Sequence, residues 1–144
     1  GKPNMSWLHA HFDEQTALHA ILGFDAEKSD TELTLAHGYA LDGGEMFGLA
    51  QGQGAVIRGP DRFADTLELE FKDSRGRDYV LSGQALTSFP WQCWPNMVAF
   101  NVLVCWQFEG RTGFGEVQDF FELPKLNRLN NPHGVDSLAQ SSAG

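Results

Sequence analysis

A chain of 144 residues with 42% hydrophobic and 12% aromatic side chains is long enough for one domain with a substantial core, and too apolar to stay disordered. Its net charge of −9, from 10 basic and 19 acidic residues, repels phosphate backbones and anionic membranes, which excludes nucleic acid as an expected partner. No apolar run reaches the roughly 18 residues of a membrane span, and no signal peptide is visible. Cys93 and Cys105 form no CxxC pair and sit in apolar surroundings. Both are expected as buried free thiols, which fits a reducing, cytoplasmic location. The start, Gly1-Lys2-Pro3-Asn4 directly before a strand-like segment, suggests a cut edge, a tag scar or a domain taken from a longer polypeptide.

In chain order, almost every segment alternates with period two, the pattern of half-buried strands. Residues 6–12 set Trp7, His9 and His11 against Leu8, Ala10 and Phe12. After Asp13-Glu14-Gln15, residues 16–24 set Ala17, His19 and Ile21 against Leu18, Ala20, Leu22 and Phe24. "FDAEKSDTE" is expected as a polar loop. Leu33, Leu35, His37 and Tyr39 then share a face, and "LDGGE" predicts a hairpin turn because glycine supplies positive φ. "MFGLAQGQGAVIRGP" suggests two short strands with a bulge. Its glycines lack the Lys-Ser/Thr of a phosphate loop, and the chain has no Gly-x-Ser-x-Gly elbow.

"TLELEFKD" is the cleanest strand, with Leu67, Leu69 and Phe71 inward and Glu68, Glu70 and Lys72 outward. "SRG" turns it into "RDYVLSGQAL", and the two prolines of "SFPWQCWPN" predict a loop or an edge. "MVAFNVLVCWQF" is nearly continuously apolar and is expected to be covered on both sides. Its partner is "FGEVQDFFEL", after "EGRTG". The expected core includes Leu67, Leu69, Phe71, Tyr79, Leu81, Phe100, Val102, Val104 and Phe120. Together these predict an all-β fold, an antiparallel lipocalin-like β-barrel of about eight to ten strands over residues 1–126. Residues 127–144 read as a polar tail.

"WLHAHFDEQTALHA", "GYALDGGE", "DYVLSGQ" and "GRTGFGEVQDFFEL" occur in that order, and this succession resembles the lipocalin-like domain of the superfamily holding the AttH-like proteins and the carotenoid 1,2-hydratases. The likeness covers roughly residues 5–123 and is to the later of two tandem halves. It implies a hydrophobic isoprenoid, steroid or polyketide type of ligand and cofactor-free hydratase, isomerase or cyclase chemistry. It also implies a second lipocalin-like domain or protein subunit as partner, a homo-oligomer included.

Three chemistries compete for the candidate side chains. His9 and His11 leave one strand face together, as two metal ligands do. His19 joins them only if a three-residue loop sets residue 9 opposite 19; a two- or four-residue loop sends it to the other side. No bound metal is expected, since the turn does not enforce that register. Acid/base work needs a titratable group in a cavity, for which His11, His37, Glu116 and Asp119 are the candidates. On the last strand Glu116 shares a face with Phe114, Gln118 and Phe120, and Asp119 points the other way. Ligand binding would draw on Trp91 and Trp94 at a barrel mouth, with His9, His11 and Tyr39. An open interior favours a bound hydrophobic molecule. A filled barrel with an apolar exterior favours an interaction domain packing against a partner chain.

Overall fold

The computed structural model describes residues 4–25 and 29–122, with Asp25, Asp30, 92–94 and Glu122 described by their backbone alone. Eight antiparallel strands follow one another as a meander and close into a barrel. They are β1 (Asn4–Asp13), β2 (Thr16–Asp25), β3 (Ser29–Asp42), β4 (Glu45–Arg58), β5 (Ala64–Asp73), β6 (Asp78–Trp94), β7 (Met97–Phe108) and β8 (Arg111–Glu122). Closure by β1–β8 pairing removes the sheet edges, which is the physical reason a chain of alternating strands adopts this form. Among the described residues there is no helix. The polar tail 127–144 lies outside them.

Short turns set the registers. Gly43 and Gly44 (φ 62° and 84°) and Glu109 and Gly110 (φ 48° and 74°) each place two consecutive residues in the left-handed region, as tight two-residue hairpins require. The β7–β8 turn is therefore Glu109-Gly110 alone, and Arg111, Thr112 and Gly113 already belong to β8. At the β1–β2 turn the Asp13 carboxylate accepts the Gln15 N–H at 2.8 Å, and Glu14 and Gln15 both avoid positive φ.

The core assignments hold for eight of the nine expected residues. Leu67, Leu69, Phe71, Tyr79, Leu81, Phe100, Val102 and Val104 are buried, and Glu68 and Glu70 are exposed. Phe120 is the exception. It points outward and is only half-buried, edge-on to Trp7 with ring centroids 5.8 Å apart.

Four further expectations need correction. Leu33, Leu35, His37 and Tyr39 do not share one face, because Ile21 pairs with His37 and Leu22 with Leu35, which leaves Ala36 as a bulge. His37 and Tyr39 are exposed, whereas Leu33 is buried and Leu35 packs against the core. The glycine-rich segment is one continuous strand, β4, irregular between Leu49 and Gln51. "FDAEKSDTE" gives way to strand already at Ser29. Of the two alternatives for "SFPWQC", the edge is the one found: the segment is strand, and beyond Gln84 it pairs only with β7 among the described residues, a position that tolerates Pro90. β7 is covered on both sides only near Ala99–Val102; farther along, Leu103 and Gln107 are exposed.

Candidate functional site

The barrel interior is filled. Leu8, Leu22, Leu67, Leu69, Leu81, Val102, Val104, Trp106, Val117 and Phe121 are all essentially without solvent contact and belong to one continuous core. The fit is close enough that a Cβ at Gly83 would stand 2.7 Å from the Trp106 ring. The indole N–H of Trp106 donates to the His9 carbonyl at 3.2 Å, so this large side chain is both packed and satisfied.

Both ends of this core carry arginine–carboxylate knots. At one end Asp119 accepts from Arg58 (2.5 Å) and from Ser6 (2.6 Å), and the Arg58 guanidinium lies over Phe24 and Phe121. All three polar side chains are nearly or wholly buried. At the turn end Arg75 bridges Asp73 and Asp42 over the ring of Phe47, and Arg77 joins Asp42 to Glu109 beside Tyr79 and Phe108. Burial pushes the Asp73 carboxyl up, but hydrogen bonds from Arg75, Tyr79 and the Arg75 and Arg77 amides outweigh it and hold the group well below the usual carboxylate range. Burial first, and then the Asp73 bond, push the Tyr79 phenol up to about 12.

Asp119 is thus an inward carboxylate, as the alternation of β8 requires, and it is fully engaged in the Arg58 knot. His11, His37 and Glu116 point outward. The cavity that acid/base chemistry would need does not surround them.

The outer wall brings together residues that the sequence left apart. His9 pairs with His19, so His9, His11 and His19 share the outward face. This register arises from a two-residue turn, Glu14-Gln15, corrected by a bulge between His11 and Asp13, a combination that loop length alone does not reveal. Across β3, β2, β1, β8 and β7 the outward side chains form one row: Tyr39, His19, His9, Glu116, Leu103. His37 and Tyr39 share a hydrogen bond of 2.9 Å. Gln118 donates to Glu116 at 3.4 Å. Burial, then the neighbouring His9 and His37, lower the His19 pKa. A shallow cleft of about 140 Å³ lies here, walled by Trp7, His9, His19, Glu116 and Gln118.

Large apolar side chains surround this row. Trp7 is 45%, Phe114 59% and Leu103 40% exposed, with Phe89 and Trp91 exposed farther along β6. Cys105 is a free, partly buried thiol facing outward opposite Phe114. The side chains of Cys93 and Trp94 lie outside the described ones. Among the described residues no three His, Cys, Asp or Glu side chains converge as a metal site.

Larger clefts, of about 410, 540 and 650 Å³, open among β3, β4 and β5, the first two lined by Gln51, Gln53, Glu68 and Glu70 and the third by Val56, Ile57 and Arg58, and no candidate residue lines them. Comparison with protein-family models, with curated proteins and with solved structures gives no match for this chain.

Proposed function

We propose that this chain is a lipocalin-like interaction barrel, one unit of the tandem or multi-subunit assembly that its AttH-like motifs suggest, and that it acts through its outer wall. One observation carries this reading: the interior is filled to both ends while Trp7, Leu103 and Phe114 stand exposed on neighbouring strands. Apolar surface of that kind, poor in charge and rich in aromatics, is the composition of an interface centre. Apart from Asp13 at the β1–β2 turn, Glu116 is the one carboxylate among the described outward side chains of β1, β7 and β8, in a chain with 19 acidic residues.

A hydrophobic small molecule fits this reading only between units. Pockets for such ligands measure roughly 300–1,000 Å³, against about 140 Å³ for the cleft at His9 and Glu116. A partner would have to supply the remaining wall, and His9, His19 and Glu116 would then offer the polar groups of a shared site for an isoprenoid, steroid or polyketide type of molecule.

Native mass spectrometry of the protein from its own cell tests the proposal. The expected result is a stoichiometric complex with a further protein chain, lost when Phe114→Ser is introduced. A monomer carrying an apolar molecule of its own would contradict it.

A further inference from the structure

Resting on that reading of the wall, the geometry points to a particular occupant: a second copy of this chain, related by a two-fold axis running parallel to the strands between β1 and β8. The registers carry the argument. Along this seam the outward pairs are Met5↔Phe120, Trp7↔Gln118, His9↔Glu116 and His11↔Phe114. A two-fold axis placed there exchanges the members of every pair. Each side chain of one copy therefore meets the other member of its own pair in the second copy. Met5 packs on Phe120, Trp7 covers the Gln118 amide, His11 stacks against Phe114, and the His9 imidazole N–H donates to the Glu116 carboxylate twice, once in each direction.

Neighbouring placements of the axis do worse. On β8 itself, Glu116 would face its own copy, two carboxylates head to head. Between β1 and β2, His9 would face His19 and Trp7 would face Ile21, leaving Glu116 without an imidazole opposite. Between β8 and β7, Glu116 would be pressed onto Leu103, a desolvated carboxylate against an apolar side chain. The β1–β8 seam gives each outward polar side chain of its own two paired strands a polar or aromatic counterpart, while one strand farther out His19 meets Leu103.

The charge of the whole chain does not oppose this contact locally, since the exposed Asp13 at the end of β1 is paired with Arg111 and Glu116 lies among four of the chain's five histidines, His9, His11, His19 and His37. The area suits a reversible contact. An aromatic side chain buries roughly 150–250 Å². The exposed parts of Trp7 and Phe114, with Met5, Phe120 and the histidines, offer on the order of several hundred Å² per copy, below the roughly 800 Å² per partner of a standard interface and in the range of a weak, reversible dimer.

Sedimentation velocity with two complementary variants tests the seam. His9→Glu puts carboxylates against the second copy's Glu116, and Glu116→Lys puts an ammonium against its His9. Wild-type protein is expected to dimerise. Each variant alone should raise the dimer dissociation constant at least about tenfold, and an equal mixture of the two should form a heterodimer again, because each supplies what the other lacks. Unchanged thermal unfolding of both variants would show that the folds are intact. A wild type that stays monomeric overturns the second copy as occupant, while the docking reading then stands or falls separately on the native mass spectrum. A dimer that Phe114→Ser dissociates but that ignores both charge variants, or a mixture that fails to pair, overturns the seam and leaves the wall as the docking face.

Discussion

Strand β5 turns Glu68, Glu70 and Lys72 outward, whereas β1 turns out Trp7, His9 and His11. Both strands alternate with the same period, and both bury the opposite set, Leu67, Leu69 and Phe71 in one and Leu8 and Ala10 in the other. Inward positions of the two strands are interchangeable in kind, because any apolar side chain of suitable volume fills a small barrel. Outward positions are not under that constraint. A wall of glutamate and glutamine serves solvation, and a wall of tryptophan, phenylalanine and histidine costs solubility unless something covers it. The two strands differ in what they show to the outside, not in what they bury, and the proposed docking role rests on that outward difference.

The largest contrast is expected from one change, tryptophan to alanine, made on both sides of the wall. Trp106→Ala should cost about 3–5 kcal/mol of unfolding free energy, since the ring is wholly buried and its N–H is paired. Trp7→Ala should cost under about 1 kcal/mol in dilute protein, yet weaken association. Denaturant unfolding at low concentration measures both, and similar costs would mean that Trp7 belongs to the core. Asp119→Ala should cost a comparable ~3–5 kcal/mol, because it strands the Arg58 guanidinium among Phe24 and Phe121. Replacing both, Arg58→Met with Asp119→Leu, should recover most of that loss; failure to recover would give the knot a role beyond sealing the barrel end.

The pH dependence of stability sharpens the contrast between the barrel end and the wall. Asp73 is held below its ordinary 3.8, so its contribution is complete above that pH and is lost as the pH falls through its lower folded value. Tyr79 is raised from 10.0 to about 12, so its contribution is complete below 10.0 and is lost as the pH climbs towards 12. His19, lowered from 6.5, costs stability as the pH drops below 6.5. Urea midpoints across this range should therefore show a plateau from about 6.5 to 10, and Asp73→Asn should remove the steepest part of the acid limb. An unchanged acid limb in that variant would show that other carboxylates dominate it. The smallest effect belongs to the polar wall: Glu70→Ala should alter neither stability beyond about 0.5 kcal/mol nor association.

Much of this architecture was legible in the chain. The alternation of β5, the "LDGGE" and "SRG" turns and the apolar run of β7 specify strands, hairpins and closure almost unaided. What the chain hid has physical causes. The bulges beyond His11 and at Ala36 carry no residue signature, yet each decides which face a histidine leaves through. β4 runs unbroken through three glycines because Phe71 and Leu69 fill the space above Gly52 and Gly54. The sealing arginines, Arg58, Arg75 and Arg77, look like surface charges in sequence, and only their partners on distant strands place them at the core's ends. Period-two patterning separates inside from outside, but it is blind to whether an inside is hollow. That blindness is why His11, His37 and Glu116 could be read as cavity residues. An excess of aromatic residues on the supposedly polar side of β1 and β8 was the available signal for the wall.

The claim that the wall, and not the interior, is the working surface is tested most directly by methyl-resolved NMR of isoleucine, leucine and valine during a concentration series, repeated with an added apolar ligand such as retinol. Ile21 and Leu103 report the wall, Ile57 and Val80 other exposed outward positions, and Leu69 and Val104 the interior. The account predicts shifts at Ile21 and Leu103 as protein concentration rises, with Ile57, Val80, Leu69 and Val104 unmoved and the interior indifferent to ligand. Ligand-induced shifts at Leu69 and Val104, with a silent wall, would contradict it.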